Sequence, residues 1–142
     1  MTRISFYVLK GDNEQDRQVF ACRLIEKAYY QGQQIYVHTE SEQQTKQFNQ
    51  DLWSFRSDSF IPHQIVGNDN TDQQSAVLVS HNATPPRLMN LLINLADEQP
   101  TFFSQFERVA EFVNEDSAIK TAGRARYRFY QQRGYQLETF TI

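Results

Sequence analysis

Apolar and polar residues alternate along the chain in blocks that predict strands separated by helices. The β-rich run Arg3–Leu9 comes first, and Asn13–Gln31 follows with apolar residues at helical spacing and Gly32 as a stop. The short run Gln34–His38 predicts a second strand. A strand, a helix and a strand with short connections predict a right-handed parallel crossover.

The alternation continues to the end of the chain, and the run Ser75–Ser80 is nearly all apolar, as expected of a strand covered on both faces. The polar run Gly67–Ser75 before it predicts a surface loop. The remaining predicted elements are a helix from Thr39 or Ser41 to about Ser54, strands at Leu88–Leu95, Arg108–Val113 and Tyr135–Ile142, a helical turn at Phe102–Phe106, and a helix within Asp116–Gly134. Together they predict one α/β domain over residues 1–142, with helices around a mostly parallel sheet.

Composition supports a folded chain and argues against a disordered protein and a disulfide-stabilised one. Its 142 residues, 39% apolar and 13% aromatic, are enough for a core without disulfides or metals. The single cysteine, Cys22, lies in an apolar helical pattern, which predicts a buried and unreactive thiol. The apolar run at the N-terminus is too short for a signal peptide, so we expect none, and no run approaches the ~20 apolar residues of a membrane span. We therefore expect a soluble cytoplasmic protein with no membrane contact.

Residue patterns for catalysis or cofactor binding are missing. The first strand-to-helix turn, Lys10–Asn13, has no glycine-rich phosphate-binding motif, so we expect no nucleotide site. The histidines His38, His63 and His81 are not at metal-ligand spacing, so we expect no metal. They lie near predicted strand ends, where parallel sheets place active sites, so a hydrolase or nucleotide enzyme remains a third hypothesis.

The helix within Asp116–Gly134 is the most distinctive element. Residues 117–142 hold five basic residues and one acid, a formal charge of +4, whereas residues 1–116 hold nine and sixteen, a charge of −7. Helical spacing places Ala118, Ala122, Ala125 and Phe129 on one side, toward the core, and Lys120, Arg124, Tyr127 and Gln131 on the other, with Arg128 at its edge. This basic face indicates either a site for an acidic ligand or a solvated amphipathic helix.

A second candidate surface combines Leu52–Trp53 with the loop Ser59–His63. Pro62 fixes an extended backbone, and Trp53 and Phe60 are residue types that often anchor interfaces. The same residues are also typical of a lid over a hydrophobic core. Sequence alone leaves both interpretations open.

At these two stretches the sequence resembles the chi subunit of bacterial DNA polymerase III, and the resemblance spans essentially the whole chain. Four segments carry it: Ile4–Leu9, Leu52–Trp53 with Ser59–His63, Glu115–Ser117, and Arg124–Tyr127 leading to Gly134–Leu137. The resemblance implies a Rossmann-like α/β fold without a nucleotide, and a non-catalytic accessory subunit of the polymerase holoenzyme. It implies no cofactor.

The resemblance also implies two partners on separate surfaces. The acidic, Phe-ending C-terminal tail of single-stranded-DNA-binding protein is expected at Lys120, Arg124, Tyr127 and Arg128, with Val113 and Tyr135 as apolar lining. The psi subunit, which tethers the family to the clamp loader, is expected at Trp53, Phe60, Ile61 and Pro62, and a helicase-like protein can use that surface instead. DNA is then contacted only indirectly.

Two positions depart from the family's pattern. One extra residue separates Ser117 from Lys120, and Gln131 stands where a basic residue is expected. Both fall on the expected tail-binding helix. The alternative function is direct binding of single-stranded nucleic acid by this helix, with bases stacked on its tyrosine.

Overall fold

The chain is described from a computed structural model, which covers residues 1–67 and 74–142. Most of the loop predicted at Gly67–Ser75 lies outside the described residues. The strands are β1 (Arg3–Val8), β2 (Ile35–His38), β3 (His63–Ile65), β4 (Val77–Ser80), β5 (Leu91–Asn94), β6 (Arg108–Val113) and β7 (Gln136–Thr141). The helices are α1 (Glu14–Tyr30), α2 (Glu42–Ser54) and α3 (Ser117–Gln132), with a short 3-10 helix at Phe103–Gln105.

Each α-helix begins at a polar cap, as the sequence predicts. Asn13, Ser41 and Asp116 each accept a hydrogen bond from a backbone N–H in the first turn that follows. At the other end of α3, Gly134 has φ +79°, a left-handed conformation that glycine adopts without strain. The predicted bounds of this helix are therefore confirmed.

The seven strands of the described chain form one sheet in the order β3-β4-β2-β5-β6-β1-β7, and every pair is parallel. The prediction of a mostly parallel α/β sheet is confirmed. Strand β3 was not predicted, because its three residues are too few to show an alternating pattern. It lies at the sheet edge opposite β7.

Helices cover both faces of the sheet. Successive residues of β1 point to opposite faces: Tyr7 joins the core beneath α1 and α2, whereas Phe6 joins the core beneath α3 and the 3-10 helix. The connection from β1 therefore leaves over one face, and the connection from the adjacent strand β6 leaves over the other. This arrangement opens a crevice at the carboxyl ends of β1 and β6, the usual position of a binding site in a parallel sheet.

Helix α3 presents a different face to the sheet from the one predicted. Its buried residues are Gly123, Arg126 and Tyr130, whereas Ala118 and Ala125 are exposed. The prediction of a core-facing side was wrong for Ala118 and Ala125, whereas Phe129 of that side does pack against the core. The reason is that the contact face uses a glycine, a neutralised arginine and a tyrosine, which a hydrophobic pattern does not reveal.

Among the described residues, no helix combines the length and the apolar character needed to span a membrane.

Candidate functional site

A cleft of about 320 Å³ lies between the N-terminal half of α3 and the carboxyl ends of β1, β6 and β7. Phe6, Val8, Leu9 and Val113 give it a mainly apolar wall. Lys120, Arg124 and Tyr127 line it from α3, and Thr139 lines it from β7. The cleft thus combines an apolar interior with two cations, which suits a ligand that has both an apolar group and a negative charge.

The close approach of α3 to the sheet forms one side of this cleft. A Cβ atom at Gly123 would lie 2.6 Å from Cγ2 of Val113, a distance that side chains do not tolerate. The Tyr127 ring packs edge-on against the Phe6 ring, with centroids 5.2 Å apart. The aromatic part of the cleft is therefore held in place by core packing.

The two cations of the cleft are available for a ligand. Among the described residues, no acidic side chain lies within ion-pair distance of Lys120 or Arg124. The nearby carboxylate of Glu115, which also lines the cleft, accepts a hydrogen bond from the Gly11 backbone N–H. A carboxylate ligand would therefore meet unpaired basic groups beside an apolar wall.

Four of the six residues expected to bind the tail line this cleft: Val113, Lys120, Arg124 and Tyr127. Arg128 is exposed one turn farther along α3. Tyr135 does not line the cleft, because its ring packs against Phe103 at 5.2 Å and belongs to the core behind the helix. Sequence analysis missed Phe6, Leu9, Gly123 and Thr139 as lining residues. Alternation along β1 would have placed Phe6 and Val8 on one face, but not beneath α3.

A buried polar cluster fixes α3 against the sheet. Glu111 of β6 has no exposed surface and accepts from Arg126 Nε and from the Tyr130 hydroxyl, each at 2.7 Å. Asn94 Nδ2 donates to the same carboxylate at 3.0 Å, and Arg126 Nη1 donates to the Asp97 carbonyl at 2.8 Å. Burial and the adjacent Glu111 carboxylate raise the pKa of Tyr130, so this hydroxyl remains a donor. One of the five basic residues counted near the C-terminus is thus structural.

The second candidate surface lies near the β3 edge, where α2 ends. Trp53 and Phe60 are 46% and 63% exposed, and their ring centroids lie 5.5 Å apart. The Trp53 ring also packs on the His63 ring, with centroids 4.4 Å apart. Their exposure favours the interpretation of these two residues as a partner surface over that of a lid. Ile61, by contrast, is a core residue, and Pro62 is partly buried.

Two of the three histidines lie at a separate, polar cleft. His38 and His81 line it together with Glu40, Asp97 and Glu98. Burial lowers the pKa of His38, which favours the neutral imidazole. Within residues 1–67 and 74–142, no three histidine, cysteine or acidic side chains are grouped closely enough to hold a metal ion. Cys22 is buried, and burial raises the pKa of its thiol, which makes it a poor nucleophile.

Comparison with known proteins decides the family. The family model described as "DNA polymerase III chi subunit, HolC" matches residues 1–138. The chain belongs to this family. A protein of Pseudomonas aeruginosa named DNA polymerase III subunit chi is 42% identical over 138 residues, which cover 97% of this chain and 95% of that protein.

Two further relatives of that name agree with this family membership. The one from Haemophilus influenzae is 30% identical over 138 residues, covering 96% of this chain and 95% of the relative. The one from Escherichia coli strain K12 is 24% identical over 145 aligned positions, covering 99% of each chain. The chain is therefore a DNA polymerase III subunit, an accessory component of a replication complex, as its resemblance to the chi family implies.

Proposed function

We propose that this protein links the clamp loader to DNA coated by single-stranded-DNA-binding protein, through two separate surfaces and without a reaction of its own. One surface is the cleft beneath α3, and the other is the exposed pair Trp53 and Phe60. The observation that carries the proposal is the cleft itself, where unpaired Lys120 and Arg124 lie beside an apolar wall. Because a protein with this function acts at replicating DNA, we expect it in the cytoplasm.

In the cleft, the ligand is the acidic tail of single-stranded-DNA-binding protein. Arg124 or Lys120 binds the terminal carboxylate, and the terminal Phe ring packs against Val113 and Tyr127. Arg128, farther along α3, attracts acidic residues upstream of the terminus. Tyr135 contributes from behind, because it supports Phe103 and Tyr130 rather than contacting the tail. One such contact gives an affinity on the order of micromolar, about −8 kcal/mol, and the several tails on coated DNA strengthen it.

At the second surface, the partner is the psi subunit. Trp53 and Phe60 present adjoining aromatic faces to it, and Pro62 holds the loop between Phe60 and β3 extended. Ile61 contributes from inside the core, since its side chain is 1% exposed. A helicase-like protein that uses this surface would compete with psi, whereas the tail would remain bound.

Calorimetry with a synthetic ten-residue acidic tail ending in Phe tests the first surface. We expect salt-sensitive binding near micromolar Kd that is lost when the terminal Phe is removed. Arg124→Ala should weaken binding at least tenfold with unchanged thermal stability, because it removes a charged partner from an exposed site. Arg23→Ala is the matched control, since it removes an exposed arginine on α1.

Two results would count against this assignment. Normal tail binding by Arg124→Ala would contradict the role assigned to Arg124 in the cleft. Strong binding to a bare oligonucleotide with a steep salt dependence, and none to the tail, would favour the alternative of a direct single-strand binder.

A further inference from the structure

The outer edge of β7 is an open strand edge. In the described chain, β7 pairs only with β1, and five of its six residues are exposed. The Ile142 N–H donates to the Val8 carbonyl at 2.9 Å, and Val8 lies opposite Thr141. Because backbone groups of successive residues in a parallel ladder point to opposite sides, the N–H and C=O groups of Leu137, Thr139 and Thr141 point away from the sheet.

Within residues 1–67 and 74–142, these outward groups have no hydrogen-bond partners. No described residue donates to or accepts from the outward backbone groups of Leu137, Thr139 or Thr141. The strand also lacks the features that usually protect an edge, since it contains no proline and one charged residue, Glu138. Such an edge is a template for an added strand.

The edge is continuous with the cleft beneath α3. Thr139, whose backbone groups point outward, also lines that cleft together with Lys120 and Arg124. A peptide whose last residue occupies the cleft therefore passes Thr139 as it leaves.

Three basic residues form a row along α3. Lys120, Arg124 and Arg128 are four residues apart on α3, and the first two line the cleft that Thr139 also borders. From Lys120 to Arg128 the helix rises about 12 Å. From Leu137 to Thr141 the strand extends about 13 Å. The basic row and the three open backbone positions are therefore of similar length, and the two meet at the cleft.

We propose that the acidic segment upstream of the tail's terminal residue pairs with β7 as an eighth, parallel strand. This inference rests on the proposed docking of the tail in the cleft. With the tail's C-terminus at the carboxyl end of the sheet, its upstream residues run alongside β7 in the parallel direction. Alternate acidic side chains then face Lys120, Arg124 and Arg128.

A second copy of this chain is a poorer occupant of the edge. Pairing two β7 strands about a twofold axis would place the two copies of α3 on the same face of the joined sheet, with their cations on the sides turned toward each other. The acidic peptide instead meets opposite charge on the α3 side.

Backbone N-methylation of the ten-residue tail peptide tests the pairing directly. A single methyl group on an upstream residue whose N–H faces β7 should weaken binding about fivefold, the cost of one lost hydrogen bond. The same group on the next residue, whose N–H faces away from β7, should have little effect. Amide exchange should slow at Leu137, Thr139 and Thr141 when the peptide is added. Thr141→Pro, which removes an outward N–H and no bond to β1, should weaken binding about fivefold, and Thr141→Ala should not.

The outcomes separate this inference from the proposed function. A methylation series with no alternation, while loss of the terminal Phe still abolishes binding, would overturn the strand pairing and leave the cleft assignment. No binding of the unmodified peptide would overturn both. Protection of the β7 amides that depends on protein concentration without peptide would indicate self-pairing and also overturn the proposal.

Discussion

The basic residues of α3 differ in role although they belong to one helix. Arg126 is 4% exposed and bonded to Glu111, so its charge is already neutralised inside the protein. Arg124 is exposed at the rim of the cleft. A buried guanidinium that loses its partner is strongly destabilising, whereas an exposed one can be replaced at little cost to folding. Counting charge in the sequence cannot make this distinction, because it depends on which side of the helix faces Glu111.

His38 gives the fold a pH dependence at the residue scale. Burial lowers its pKa below the ordinary value of 6.5, and its Nδ1 has no hydrogen-bond partner among the described residues. Between the folded and unfolded pKa values, the unfolded chain binds more protons. The contribution of His38 to the free energy of unfolding should therefore rise with pH toward about 6.5 and then level off.

Urea unfolding at about pH 5 and about pH 7.5 measures this contribution. Wild type should gain more stability between the two pH values than His38→Gln, which has no imidazole to protonate. Equal gains in the two proteins would show that His38 is not the titrating group.

At the scale of elements, α3 shows what the sequence could and could not predict. The caps at Asp116 and Gly134 are local signals, and both ends of the helix were predicted correctly. The orientation of the helix is a tertiary property, set by Gly123 against Val113 and by Arg126 and Tyr130 against Glu111. The alanine stripe was a misleading signal, because alanine is nearly as acceptable in water as in a core.

The same contrast applies to the candidate sites. Lys120, Arg124 and Tyr127 were predicted together because helical spacing alone places them on one side. Thr139 was missed because β7 lies beside the cleft only after the chain crosses over β1 from β6. No local sequence pattern encodes that crossover. That Tyr135 packs against Phe103 rather than lining the cleft could not be predicted either, since its direction depends on the tight turn after α3.

Gly123→Ala should test the close approach of α3 to β6. The added methyl group would clash with Val113, and overpacking of this kind typically costs about 1–3 kcal/mol. The higher helix propensity of alanine offsets part of this cost. Both the free energy of unfolding and tail affinity should fall, because the helix must move away from the apolar wall. Chemical denaturation and calorimetry would measure the two effects.

The double variant Gly123→Ala/Val113→Ala provides the control, since it removes the methyl group that the new side chain meets. It should recover stability relative to Gly123→Ala. If Gly123→Ala alone is more stable than wild type and binds the tail normally, the close-packed geometry is contradicted.

At the scale of the whole molecule, the two candidate surfaces lie apart. The net charge is −3, but Lys120 and Arg124 line the cleft that Thr139 of β7 borders. The exposed rings of Trp53 and Phe60 lie near β3, at the opposite edge. An acidic ligand and an apolar partner would therefore bind to different sides of a rigid sheet without competing, which suits a protein that joins two others.

The central claim, that the protein bridges two partners, is tested most directly by a surface-binding measurement. Single-stranded DNA coated with its binding protein is immobilised, and recruitment of psi is followed with and without this protein. The account predicts that wild type recruits psi and that Arg124→Ala and Trp53→Ala both fail. Arg124→Ala should still bind psi in solution, and Trp53→Ala should still bind the coated DNA. Normal recruitment by either variant, or loss of both partners by one variant together with a lower melting temperature, would contradict a bridge built on two independent faces.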